Sequence, residues 1–281
     1  MLAELTHIWI LACIMYVMTS GFRIYLRLRG TADFSYIALV IFGTYSIAIL
    51  LGRGYSLGVS FVISFFLALC FCFLLLRIIT RLNSIYFNIG TFALYILVSY
   101  IAANLDITKG AFGMSITSIL HNTNVTIVIY TMLALLVMVD INYFRKTLLH
   151  TMLAGWGEFR TATKSLGIRE TFPILCLITI TTAMALISGT MYIEYYSYVS
   201  PATFWIWFLV TLMATTYGSY IFGEMMTFVT TFIIWYIYEM FRFIKIVDVS
   251  KIGYLREMLF ALMVMVIVFI VFRKLKFSRE Q

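Results

Sequence analysis

The sequence predicts an all-α protein, a polytopic bundle of transmembrane helices, and three observations carry that prediction. Of the 281 residues, 63% are apolar and 11% are charged, against about 45–50% and about 25% in soluble domains. The twenty Lys and Arg residues fall almost wholly between apolar runs. The runs are continuous rather than alternating apolar and polar, which favours helices, whose backbone groups are satisfied internally, over barrel strands.

In chain order, the expected spans are 5–22, 34–52, 57–76, 85–104, 124–143, 172–192, 203–217, 220–241 and 257–272. Each is to be compared with the roughly 20 apolar residues that cross a bilayer as a helix. Residues 1–10 contain Glu4 and His7 but no Lys or Arg. A cleavable signal peptide would need a basic start, so the first run is expected to be a retained helix. The run 203–217 is short, roughly 22 Å as a helix, and a re-entrant segment is the alternative there. Little chain remains for anything else, and residues 1–281 are expected to form one transmembrane domain.

Orientation follows from the basic residues between the runs. If the spans alternate strictly, fourteen Lys and Arg gather on one side and six on the other. The positive-inside rule makes the richer side cytoplasmic. That places 144–171 and the tail Arg273-Lys274-Leu275-Lys276 inside, whereas Arg242, Lys245, Lys251 and Arg256 run against the trend. The net charge of +8 therefore reads as membrane topology, and no nucleic acid is expected as a partner.

The connection 144–171 has a helical period. Leu149, Met152, Leu153, Trp156, Phe159 and Leu166 recur at spacings of three, four and seven, while Thr151, Glu158, Arg160 and Lys164 take the other side. Gly155 and Gly157 each weaken such a helix by about 1 kcal/mol relative to alanine. The stripe suits either a helix resting in the lipid interface or a docking element.

Catalysis has no visible constellation. His7, His121 and His150 are isolated, and Cys13, Cys70, Cys72 and Cys176 all sit in apolar runs. Neither a metal site, a cofactor nor a disulfide framework is expected. The phosphate-binding pattern G-x-x-x-x-G-K-[ST] is absent, so ATP binding is not expected from this chain. The acidic residues in apolar runs, Asp140, Glu194, Glu224 and Glu239, are informative, because a mid-bilayer Asp costs about 2.5–3.5 kcal/mol on insertion scales. Asp140 precedes Arg145 and Glu239 precedes Arg242, which suits interfacial ion pairs. Glu224, beside Gly223 and without a nearby basic residue, is the better pathway candidate.

Other polar and small positions carry two readings each. Gly218, Ser219 and Gly223 form a small face that permits close helix packing, or a broken helix near a translocation path. Thr108, Gly110 and Gly113 lie in an outer loop that is either a plain turn or a gate. Tyr86, Phe87 and Thr91 open the fourth span, as an interfacial belt or as path lining.

The stretch Arg81-Leu82-Asn83-Ser84-Ile85-Tyr86-Phe87-Asn88-Ile89-Gly90-Thr91-Phe92-Ala93, followed by Ile107-Thr108-Lys109-Gly110-Ala111-Phe112-Gly113, resembles the signature of LivM-type permeases of branched-chain amino-acid ABC importers. That family reads R-x-x-G-x-Y-F-A-I-x-T-L-A and then L-T-G-G-x-x-G. Ser84 stands at a glycine of the pattern, Asn88 at an alanine and Lys109 at the first glycine of the pair. Three further stretches keep the family's order. Ser35 and Gly43-Thr44-Tyr45 look like its early G-x-x-x-x-S, from Gly30, and G-A-Y elements. Ala162-Thr163-Lys164-Ser165-Leu166-Gly167-Ile168 looks like its A-x-x-L-G-I coupling segment. Ser200-Pro201 and Tyr217-Gly218-Ser219-Tyr220-Ile221-Phe222-Gly223 are similar to its S-P and G-G-x-G-S-x-x-G, with Tyr217 at a glycine position. The resemblance covers about residues 30–245.

The resemblance implies a multi-pass permease subunit of the bacterial inner membrane. It would pair with a second permease, identical or not, and receive cargo from an extracytoplasmic solute-binding protein. It would dock on separate cytoplasmic ATPase subunits through 147–168, with Trp156, Glu158, Arg160, Leu166 and Gly167 in the coupling segment. Tyr86, Phe87, Thr91, Thr108, Gly110, Gly113, Gly218, Ser219, Gly223 and Glu224 would line or gate the path. Branched-chain or other hydrophobic amino acids are the expected cargo. The alternatives are urea-like amides, simple sugars or nucleosides, and, from another class, an ion-coupled secondary transporter.

Overall fold

The computed structural model describes residues 2–29, 34–79, 84–117, 123–158, 165, 171–204, 212, 227–240, 258, 261–262 and 265–266. Its helices are α1 (Leu2–Arg29), α2 (Ser35–Gly52), α3 (Leu57–Ile79), α4 (Ser84–Asn104), α5 (Thr123–Phe144), α6 (Leu148–Glu158), α7 (Thr171–Tyr196) and α8 (Thr227–Met240). Short 3-10 turns at Asp106–Thr108, Gly110–Phe112 and Pro201–Phe204 and a two-stranded sheet, β1 (Met114–Ser115) with β2 (Tyr198–Val199), complete the described elements.

Among the described residues, six stretches are long and apolar enough to cross a membrane: Glu4–Ile24, Ser35–Gly52, Leu57–Leu74, Tyr86–Asn104, Thr123–Phe144 and Leu175–Tyr196. They make the chain an all-α, multi-pass membrane protein, and they coincide with the first six expected spans. The seventh expected span, 203–217, lies largely outside the described residues, as does 257–272. The eighth, 220–241, overlaps α8, whose apolar part Thr227–Tyr238 is shorter than the others. The first helix extends past the expected 5–22 at both ends, because a helix can continue through polar residues such as Arg23 once it has left the apolar layer.

Burial divides the spans into two layers. In the most apolar stretches of α1, α2 and α7, 78%, 61% and 61% of residues are buried, against 17%, 28% and 22% in α3, α4 and α5. One face of α1 (Met15, Met18, Phe22) joins a core with α2, α3, α4 and α7, and the other (Ile10, Ile14, Val17) joins α5, α6 and α7. Lipid supplies no hydrophobic force between helices, so close backbone approach takes over. At the α2–α7 crossing, a side chain on Gly189 would strike Thr44 Oγ1, and one on Gly43 would sit 2.9 Å from Leu186 Cδ1. Thr44 turns its hydroxyl back to Val40 O at 2.6 Å, so the polar group is satisfied within its own helix.

Paired contacts set the helix directions. His7 at the start of α1 bonds Tyr195 at the end of α7, so those two are antiparallel. Trp9 Nε1 donates to Thr131 Oγ1 at 2.9 Å in the first half of α5, and Tyr16 and Met138 border one cleft further along, so α1 and α5 run parallel. Gly189 meets Thr44 and Gly43 meets Leu186, which makes α2 and α7 parallel. The loops after α4 and α7 therefore share one end, the sheet end. The α5–α6 corner lies at the other.

Candidate functional site

The sheet end joins two connections that are distant in sequence. After α4 the chain turns at Asp106–Thr108, where Thr108 Oγ1 bonds to Ala102 O (2.7 Å) and Leu105 O (2.6 Å). Thr108 thereby caps Ala102 O in the last turn of α4, while Leu105 O also accepts from the Thr108 and Gly110 N–H groups. Lys109 then takes a left-handed conformation (φ 56°, ψ 23°) and Gly110 follows at φ 58°. Gly113 (φ 72°, ψ −179°) turns the chain into β1. A Cβ there would collide with Val199 O and come within 2.9 Å of Ser200 Cα.

β1 pairs antiparallel with β2, Met114 opposite Val199 and Ser115 opposite Tyr198. Ile116 N extends the pairing to Ser197 O at 2.9 Å, and Tyr198 Oη donates to Phe112 O at 2.5 Å. Ser197 leaves α7 in a left-handed conformation (φ 52°) while its N–H still reaches Ile193 O at 2.8 Å. Beyond β2, Ser200 O accepts from Thr203 N at 3.1 Å and closes the 3-10 turn that delivers Phe204 into the core.

Phe204 is the hub of this assembly. Tyr95 on α4 donates its hydroxyl to Phe204 O at 2.5 Å. The Phe204 ring lies 6.4 Å from Tyr45 on α2 and 5.9 Å from Tyr192 on α7. Tyr45 is buried, and its hydroxyl has no hydrogen-bond partner among the described residues. Close by, Glu194 is buried beside Tyr130, whose hydroxyl donates to Met191 O at 2.7 Å. The assembly is an aromatic junction with few ionisable groups. Through Tyr45, Tyr95 and Tyr192 it ties Phe204 to α2, α4 and α7.

The residues singled out from the sequence separate into different places. Thr108, Gly110 and Gly113 belong to the sheet-end junction, with Ser200 against Gly113 and the Tyr45 ring reaching Phe204, while Gly43 and Thr44 lie deeper, at the α2–α7 crossing. Tyr86, Phe87 and Thr91 lie in the opposite half of α4, roughly 20–27 Å from its sheet end along the helix. There Tyr86 is exposed, Phe87 is buried, and Thr91 bonds its own helix at Asn88 O (3.1 Å). Trp156 and Glu158 fall in the last turn of α6. Arg160, Leu166, Gly167, Gly218, Ser219, Gly223 and Glu224 lie outside the described residues. Asp140 is exposed near the end of α5. Sequence reasoning passed over Tyr95, Tyr198 and Phe204, and it preferred Glu224 to the buried Glu194. The only signal for them was aromatic density near span ends.

Among the described residues, no group of three His, Cys, Asp or Glu side chains is placed to hold a metal ion. None of the four cysteines is in a disulfide; Cys70 faces outward and Cys72 approaches Thr182 Oγ1 at 3.9 Å, so the pair points to different sides of α3. An apolar helical bundle of this kind is compatible with a membrane transporter. No family model, curated protein or solved structure matches the chain.

Proposed function

We propose that the chain is the permease subunit of a bacterial ABC importer for a small solute, most simply a branched-chain or other hydrophobic amino acid. One observation carries the reading. Two of the stretches that resemble the LivM-type signature, Thr108–Gly113 and Ser200-Pro201, meet at one end of the bundle, where Gly113 packs against Ser200, and Tyr45 of a third stretch extends its ring to the adjoining Phe204. They are far apart in sequence, and a chance likeness gives no reason for them to converge. The connection 144–171, where the coupling segment is read, starts from the other end with α6. A lever at the end opposite the junction would let a motor and a cargo act on one bundle from opposite sides, in two states that differ in their contacts with each.

In this reading, cytoplasmic ATPase subunits grip 147–168 and supply the energy. A second permease completes the path, and an external binding protein delivers the cargo to the aromatic junction. The experiment is uptake in reconstituted vesicles containing the ATPase partner, comparing wild type with Leu166→Asp. Leu166→Asp is expected to insert normally, to retain ATP hydrolysis by the complex, and to lose most ATP-dependent uptake. Unchanged uptake would remove the coupling assignment. Buried Glu194 favours a second reading, an ion-coupled carrier. Uptake driven by an ion gradient, with no ATPase present, would select it over the importer. Urea-like amides, simple sugars and nucleosides remain alternative cargoes, which binding measurements on the delivering protein would separate.

A further inference from the structure

At the end opposite the sheet, α1, α5 and α6 border an open cleft. Its charged and ionisable side chains are Arg23 from α1, Arg145 from the α5–α6 corner, His150 from α6 and Tyr16 from α1; no carboxylate is among the described residues that line it. Ser20 and Asn142 add a hydroxyl and an amide. These donors come from three elements, so the cleft exists only because the helices meet there.

Two of these side chains are held in place. Arg23 Nη1 donates to Thr227 Oγ1 at the start of α8. The His150 ring stands edge-on to Phe144, centroids 5.6 Å apart at 90°. Below the donors, Met138 and Ile141 give the cleft an apolar wall continuous with the membrane-spanning part of α5.

We propose that this cleft binds a phosphate group at the cytoplasmic membrane surface. Guanidinium forks match phosphate oxygens bidentately, and charge-assisted bonds of this kind are roughly twice as strong as neutral ones. Basic pockets between transmembrane helices on the cytoplasmic side are where anionic lipid headgroups lodge. The basic balance of the loops puts this end in the cytoplasm. The phosphate belongs either to an anionic phospholipid, whose chains would follow the Met138 and Ile141 wall, or to a soluble phosphorylated solute. Either would brace the α5–α6 corner against α1. The inference needs only the membrane topology and does not rest on the transport reading.

The test uses the purified full-length protein in detergent, with native mass spectrometry to count bound molecules. The probes are phosphatidylglycerol, phosphatidylcholine and glycerol 3-phosphate. Phosphatidylglycerol is expected to bind well above phosphatidylcholine, and Arg145→Gln to weaken it about tenfold, the equivalent of about 1.4 kcal/mol. Lys146→Gln, one residue outside the cleft, is expected to leave it unchanged. A photoactivatable phosphatidylglycerol on the wild-type protein should leave adducts on residues 16–24 and 138–150, a readout that no variant's folding can spoil. If glycerol 3-phosphate binds with the same dependence on Arg145 and lipid does not, the site stands with a soluble ligand. Adducts elsewhere, or binding equally indifferent to Arg145→Gln and Lys146→Gln, would overturn it.

Discussion

Gly113 occupies a backbone region that is essentially reserved for glycine, and its missing side chain is where Val199 and Ser200 pass. Gly113→Ala is expected to cost about 1–3 kcal/mol and to open the β1–β2 pair. Thermal unfolding in detergent, with hydrogen exchange at residues 114–116, would reveal it; wild-type values for both would refute the packing argument. Lys109 carries the opposite lesson. It stands where the resembling family has glycine, yet its backbone still takes a left-handed conformation. For a residue with a side chain that conformation costs roughly 1–2 kcal/mol, while glycine gives back about 0.5–1 kcal/mol in unfolded-chain entropy. The balance favours glycine, so Lys109→Gly is expected to raise stability by up to about 1 kcal/mol, measured as an upward shift of Tm. A fall in Tm would mean that the lysine side chain contributes more than its backbone costs.

Among the elements, α6 is the one most dependent on its neighbours. Gly155 and Gly157 reduce its intrinsic propensity, and a helix of 11 residues is marginal alone. Leu153, fully buried in the cluster that α1, α5 and α7 share, supplies the packing that propensity does not. Leu153→Asp would bury a carboxylate in that cluster and is expected to cost about 3 kcal/mol or more. Thr151→Asp on the exposed side should be nearly neutral. Limited proteolysis of inverted vesicles would read the difference as cleavage of the α5–α7 connection in the first variant only. Equal resistance in both would mean that Leu153 does not hold α6 in place. The amphipathic stripe in the sequence located this element correctly. Its first half points inward at Leu153, while its second half continues past the described residues.

For the whole molecule, the alternation of α1 to α5 and α7 places the two connections of the sheet end on one side of the membrane and α6 on the other. In a background without native cysteines, Lys109→Cys is expected to react with an impermeant thiol reagent in intact cells. Thr151→Cys should react only after permeabilisation. The reverse pattern would invert the molecule and with it the cytoplasmic assignment of the coupling segment and of the basic cleft. The sites divide along the same axis. Thr108 to Gly113 were legible as a turn because glycines and a capping threonine speak locally. The partners of that turn, Val199, Tyr198 and Phe204, were not, since nothing in a two-residue strand announces which other strand it will meet.

The sequence by itself determined that the chain is helical, membrane-embedded and divided at its basic and glycine-bearing connections. The reason is that an apolar run in hydrocarbon has to satisfy its own backbone, and only helices of about 20 residues do so segment by segment. Tertiary structure alone decided which helices form the centre. In water a helix displays its buried side as an apolar stripe, but in lipid the outward face is apolar too, so α3 and α5 read much like α1 and α7 along the chain. What separates them is how closely backbones approach, at Gly43 and Gly189 for instance, and which distant loops are thereby brought into register at Gly113. Those are relations between segments, and they have no counterpart in any one of them.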